Sequence, residues 1–277
     1  MLSEILRLCR IYNIRLNERL SQNFLHAPHI IDLELRYAYL SSNDIVLDIG
    51  AGFGFLTEAL AGVARKVYAV EIDRRMIRVL NDRLGHLIET GKVVVIEGDI
   101  LTIDLPSDVN KIISNPPFHI ISPLLFRLAR KYFISDTFEL CVLIVQLDYA
   151  KKMCAPPGEK RSRLSATIQY YADVELLSIV SRKNFFPPPE VDTAIVRLRP
   201  RRTKHMVDFS SYERTVRILF NMPNKTLRKV IKKYFKDRSP TILEQLVQRK
   251  INVRKHVREL SNMEIEIIAD LLKEFLD

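Results

Sequence analysis

From Ile45 to Gln146 the chain repeats one pattern: a short β-branched apolar run, a turn, then an amphipathic stretch. Ile45–Ile49, Lys66–Val70, Val93–Ile96, Lys111–Ser114 and Leu140–Gln146 have the length and composition of buried strands. Residues 55–64, 74–84 and about 122–132 read as helices between them. This alternation permits few folds, all of them a mostly parallel sheet covered by helices. Ligands in such sheets sit beyond the carboxyl ends of the strands, where the strand order changes direction.

The residues at those strand ends form a set. The first strand runs into Asp48-Ile-Gly50-Ala-Gly52-Phe-Gly54, where glycines let the backbone turn tightly and approach a ligand closely. A dinucleotide fingerprint needs Gly-x-Gly-x-x-Gly, but position 55 is Phe. Glu71 ends the second strand about 20 residues on, placed for a ribose diol. Asp99 follows the third strand and suits an adenine amine, with Ile72 and Ile100 as apolar walls. Each signal alone is weak, since acids commonly follow strands. Together they point to an adenosine-containing cofactor, and the Gly-x-Gly-x-Gly loop with Asp48 upstream looks like S-adenosylmethionine binding rather than NAD binding.

The fourth strand delivers Asn115-Pro116-Pro117-Phe118 beside the first. Neither proline can donate to a ladder, and Pro116 holds Asn115 extended. The Asn115 amide, the Pro116 carbonyl and the Phe118 ring are left free. A nucleobase amine is a poor nucleophile because its lone pair is delocalised into the ring. Two acceptors on its hydrogens favour localising that pair and stabilise positive charge developing on nitrogen. An aromatic ring holds a flipped-out base by stacking. The motif alone reads more readily as a strand ending in a Pro-Pro turn with Phe118 in the core, and it is the rest of the chain that favours the catalytic reading.

Elsewhere, residues 3–16 read as a basic amphipathic helix, and Pro28 opens another after Ser21-Gln22-Asn23-Phe24-Leu25-His26. Val174–Val180 and Thr193–Leu198 read as antiparallel strands around Asn184-Phe185-Phe186-Pro187-Pro188-Pro189. Phe185 suits either the second face of a bound base or the core. After about residue 200 the alternation stops, and residues 211–221, 224–236, 240–250 and 262–276 read as helices, most of them basic. Domains are therefore expected at 1–200 and 201–277.

Charge supports that division. Between Arg197 and Arg258, 19 Lys/Arg face only Asp208, Glu213, Asp237 and Glu244, a local +15 within a net +10. The rest of the chain is slightly acidic, so the C-terminal part is the candidate surface for a polyanion, with nucleic acid the expected partner. Lys225, Arg228, Lys229, Lys232, Lys233 and Lys236 are the expected phosphate contacts. Cys9, Cys141 and Cys154 show neither metal-ligand spacing nor a disulfide framework. No apolar run approaches the roughly 18 residues of a membrane span. A soluble cytoplasmic monomer without a metal is expected.

Gln22-Asn-Phe-Leu25, Val46-Leu-Asp-Ile-Gly-Ala-Gly52, Val70-Glu-Ile-Asp73, Glu97-Gly-Asp-Ile100, Arg163-Leu-Ser165, Phe185 with Pro187-Pro-Pro-Glu-Val-Asp192, and Lys225-Thr-Leu-Arg228 span nearly the whole chain. In this combination the chain resembles the ribosomal small-subunit RNA adenine dimethyltransferases, the archaeal and eukaryotic branch most closely. The resemblance implies a seven-stranded, Rossmann-like class I methyltransferase domain and a small helical domain. It implies N6,N6-dimethylation of two adjacent adenosines near the 3′ end of small-subunit ribosomal RNA, within ribosome biogenesis. It puts Gln22, Asn23, Leu25 and the Gly50 and Gly52 backbone at the cofactor's methionine end, Glu71 on the ribose, and Asp99, Ile72 and Ile100 on the adenine. Asn115 and the Pro116 carbonyl take the target amine, with Phe118 and Phe185 sandwiching the base. The family usually has Asn-Leu-Pro-Tyr where this chain has Asn115-Pro-Pro-Phe118. The latter form also occurs in DNA adenine and glutamine-amide methyltransferases. Two other readings stay open: an assembly or transcription factor that keeps the fold without needing the chemistry, and methylation of large-subunit RNA.

Overall fold

A computed structural model describes residues 1–15, 23–202 and 205–275, and the chain divides into two units. The first, Met1–Ala150 with Asp173–Pro200, opens with helix α1 (Leu2–Ile11), the short strand β1 (Phe24–Leu25) and helix α2 (Pro28–Tyr37). The alternation follows as β2 (Ile45–Ile49), α3 (Phe55–Ala61), β3 (Lys66–Glu71), α4 (Arg74–Glu89), β4 (Val93–Glu97), β5 (Lys111–Ser114), α5 (Ile121–Leu128) and β6 (Leu140–Gln146). Helices α6 (Leu147–Met153) and α7 (Arg163–Tyr171) lead to β7 (Ala172–Val180), the short β8 (Phe185–Phe186) and β9 (Thr193–Pro200).

Seven strands form one sheet in the order β4-β3-β2-β5-β6-β9-β7. Neighbours from β4 to β6 are parallel, and β9 runs antiparallel to β6. The chain leaves β2 toward β3 on one side and returns to β5 on the other, so the strand order reverses between β2 and β5. That is the doubly wound arrangement the alternation predicts.

Local chemistry sets the element ends. The Asp73 side chain caps α4 by accepting from Arg75 N, and Met76, Val79, Leu80 and Leu84 line its buried stripe at helical spacing. Helix α1 stops at Ile11, short of the expected residue 16, because Asn13 turns left-handed (φ 49°) and Ile14 N closes on Cys9 O. The helix expected at 122–132 is built in three pieces: a 3-10 turn at Phe118–Ile120, α5, and a π turn at Ala129–Phe133.

The second unit takes Lys151–Ala172 together with α8 (Phe209–Phe220), α9 (Leu227–Phe235), α10 (Ser239–Gln248) and α11 (Asn262–Leu272). The expected boundary at 200/201 put residues 151–172 in the first domain. They leave the sheet between β6 and β7, and α7 packs on α8 and α11 instead. The Tyr170 and Tyr212 rings stack at 3.6 Å, and Tyr212 Oη donates to Ala166 O.

Candidate active site

Backbone pairing between β2 and β5 ends at Leu47 and Ile112, and a side chain completes it. Ser114 Oγ donates to Ile49 O (2.7 Å) and accepts from Ile49 N (3.0 Å). Beyond that point the strands part, and the loops after them open a cavity of about 180 Å³. Gly50 (φ 73°) and Gly52 (φ 55°) turn the β2 loop, with the Gly50 and Ala51 amides donating to Val70 O. Glu71 then fastens the loop to β3. Its Oε2 accepts from Gly52 N (2.8 Å), and its Oε1 accepts from Ile72 N and Asp73 N (both 2.9 Å). A carboxylate has about four lone-pair sites, so one remains for a ligand hydroxyl.

Most of the predicted cofactor residues converge on this cavity. Asn23, Gly50, Gly52, Glu71, Ile72, Asp99 and Ile100 all line it, and Asn115 of the active loop lines it beside them. Ile72 is 59% exposed and Ile100 only 4%, so one wall is a flap over solvent and the other is core. Leu25 lines a smaller adjoining cavity with Asp48 and, again, Asn115. Gln22 lies outside the described residues. Asn23 Nδ2 donates to Pro187 O (3.1 Å), which ties the β1 segment to the proline-rich connector.

The active loop is only partly as expected. Asn115, Pro117, His119 and Ile120 face the larger cavity, whereas Pro116 is buried and Phe118 half-buried beside it. Phe185 requires a correction. It was expected to cover the second face of a base, but it is 3% exposed and packs in the apolar core with Leu25, Ile30 and Ile31. Pairing of β1 with β8, Leu25 opposite Phe185, turns the ring inward, and it lines neither cavity.

Acids dominate the electrostatics, and among the described residues neither cavity is lined by Lys or Arg. Burial pushes Asp48 up to about 7 against the hydrogen bond it accepts from Thr57 Oγ1 (2.7 Å), and Glu71 is raised for the same reason. A pyrophosphate would meet Glu71, Asp73 and Asp99 with no balancing cation among the described lining residues, whereas a sulfonium finds complementary charge. The residues present therefore fit S-adenosylmethionine better than a dinucleotide.

The sequence reading missed Glu34. This residue is fully buried on α2, and its Oε2 accepts from Asn115 Nδ2 (3.2 Å). Burial pushes its carboxyl up to about 8, opposed by the Asn115 hydrogen bond and assisted by Asp48. A signal was present: Glu34 falls three and four residues after Ile31 and Ile30, on the apolar stripe of the helix.

In the second unit, Lys225, Arg228, Lys229, Lys232, Lys233 and Lys236 are all exposed, while Leu227, Val230, Ile231 and Phe235 are buried. Helix α9 thus separates an apolar face from a cationic one. The Thr226 side chain caps it, accepting from Lys229 N.

Comparison with known proteins agrees with this geometry. The chain is 40% identical over 223 residues to a protein of Thermococcus onnurineus described as a "probable ribosomal RNA small subunit methyltransferase A", covering 80% of this chain and 78% of the relative. Its fold matches the crystal structure of a dimethyladenosine transferase from Plasmodium falciparum (TM-score 0.79, 29% identity, 91% of this chain and 97% of that one). It also matches the 23S rRNA methyltransferase ErmE (TM-score 0.67, 25% identity, 91% and 100%). The family model for ribosomal RNA adenine dimethylase matches residues 13–270, and the chain belongs to that family.

Proposed function

We propose that this S-adenosylmethionine-dependent ribosomal RNA adenine methyltransferase dimethylates N6 of two adjacent adenosines near the 3′ end of small-subunit ribosomal RNA. We read it as a cytoplasmic monomer acting on the small subunit as it matures. The observation that carries the chemistry is Asn115 Oδ1: a buried acceptor with no partner among the described residues, on a residue that lines both cavities. A buried carbonyl left unpaired costs free energy, and the exocyclic amine of a bound adenine satisfies it.

In this reading Asn115 Oδ1 and the Pro116 carbonyl accept the two N6 hydrogens in the first transfer and localise the nitrogen lone pair. In the second transfer one of them accepts the single remaining hydrogen. The interaction strengthens as positive charge develops on nitrogen, so it acts on the transition state more than on the bound substrate. S-adenosylmethionine supplies an electrophilic methyl group on sulfur. Gly50, Gly52 and Asn23 form the wall beside it, Glu71 takes the ribose, and Asp99 takes the adenine amine between Ile72 and Ile100. Phe118 stacks on the target base. The methylated ammonium is acidic enough to lose its proton to water, so no general base is required. The basic face of α9 supplies phosphate contacts that do not depend on base identity.

The 40% identity to the small-subunit relative, against 25% to the large-subunit enzyme, favours the small subunit. The test is mass spectrometry of nucleosides after incubation with unmethylated small subunits or naked large-subunit RNA. N6,N6-dimethyladenosine from the small subunits alone is expected. Product only from large-subunit RNA, or binding to small subunits without methylation, overturns the reading.

A further inference from the structure

Glu34 is fully buried, yet among the described residues its Oε1 has no hydrogen-bond partner, and the same is true of Asn115 Oδ1. The two side chains meet through a single bond, Asn115 Nδ2 to Glu34 Oε2 (3.2 Å). A buried carboxyl with one partner is costly, and a helix of this composition had apolar alternatives at that position. Its effect on Asn115 is specific. An amide has a donor end and an acceptor end, and only the acceptor end is useful against an N–H₂ group. An ionised carboxylate accepts and cannot donate, so it admits one orientation of the Asn115 amide: nitrogen toward Glu34, which leaves the oxygen, on a residue that lines both cavities, for another donor.

We propose that Glu34 is a positioning residue for methyl transfer, holding the Asn115 amide so that Oδ1 is the atom offered to the target amine. The proposal rests on the reading of Asn115 given above. Helix α2 brings Glu34 to Asn115 across 81 residues of sequence. The groups facing Glu34 are few. From β2 it meets the field of Asp48, which is itself held by Thr57, and from the β5 loop it meets the Asn115 amide. On α2 itself, His29, Asp32 and Arg36 are exposed to solvent.

Protonation sets how strictly the amide is held. A neutral Glu34 carries a hydroxyl that can donate to Asn115 Oδ1, so the amide can turn and present its NH₂ to the amine. Ionisation removes that alternative. Since burial pushes Glu34 up to about 8, the turnover number should rise with pH across that region.

The test uses the full-length protein, unmethylated small subunits and radiolabelled S-adenosylmethionine. Glu34→Leu should lower kcat about 10–100-fold, the range typical of residues that orient a functional group, with KM for both substrates nearly unchanged. Glu34→Gln keeps an acceptor but also a donor. It should lose less and should flatten the rise near pH 8. In an Asn115→Ala background Glu34→Leu should add almost nothing, since it acts through that amide. Wild-type kcat in Glu34→Leu overturns the proposal, as do independent, multiplying losses in the double variant. Normal turnover in Asn115→Ala alone overturns the reading of Asn115 itself, and the positioning role with it.

Discussion

Gly52→Ala tests the glycine loop at a position where the structure predicts both strain and collision. Gly52 has φ 55°, a left-handed conformation that costs a residue with Cβ roughly 1–2 kcal/mol. An added Cβ would stand 2.7 Å from Phe24 Cε1 and 3.1 Å from its Cδ1. The Phe24 ring rests on Phe53 at a centroid distance of 4.5 Å and lines both cavities, so it has to move into ligand space or push Phe53. Overpacking of this kind costs about 1–3 kcal/mol more. Gly91 supplies the control: it has φ 71°, but a Cβ there would meet nothing within 4 Å. Gly91→Ala should therefore lose only the conformational contribution and bind cofactor normally. Gly52→Ala should be destabilised by about 2–5 kcal/mol and lose at least tenfold in S-adenosylmethionine affinity, about 1.4 kcal/mol. Denaturant unfolding and titration calorimetry measure the two quantities. Wild-type affinity in Gly52→Ala would show that the loop geometry and Phe24 do not shape the cofactor site.

Three further outcomes follow from other parts of the molecule. RNA affinity should fall steeply with salt, and Lys232, Lys233 and Lys236 each replaced by Ala should flatten that slope by about 0.7–0.9 log units per lost contact; an unchanged slope makes this surface merely solvated. Folded Glu34 and Asp48 hold protons that the unfolded chain has already released, so stability should fall as pH rises from the ordinary carboxylate range through about 7 and about 8. Glu34→Leu should flatten that decline, by roughly a few kcal/mol at its alkaline end, in thermal scans over pH; an identical decline in the variant refutes the buried-charge assignment. Phe118→Ala should lose about 1–3 kcal/mol, shared between RNA affinity and rate, while Phe118→Tyr keeps both; no loss in the alanine variant places the ring outside the base site.

The sheet was legible because its signals are local. β-branched runs bounded by turns place β2, β5 and β6 at their observed limits, and glycines and acids at strand ends mark the crevice before any contact is known. Asn115 stood out because two prolines after it leave a stiff loop with few other uses. What was missed depends on chain segments far apart. Glu34 stands on the apolar stripe of α2, but its partner appears only when α2 is packed against β6 and the residue meets Asn115. Phe185 carries the pattern of a base-stacking aromatic, but its direction is fixed by pairing with Leu25, 160 residues earlier. Two-residue strands carry no periodicity from which that direction could be read. Residues 151–172 failed differently. The boundary at 200/201 assigns them by chain order, and sequence alone does not say which of two apolar surfaces a helix such as α7 will choose.

Single-turnover methyl transfer at saturating RNA and cofactor, comparing wild type with Asn115→Ala, tests the central claim most directly. The variant loses one of two acceptors aimed at the developing ammonium, so its rate should fall by about 10²–10³. Calorimetry should show cofactor binding retained, because the glycine loop and Glu71 are untouched. Equal single-turnover rates would contradict the account and make Asn115 a turn residue.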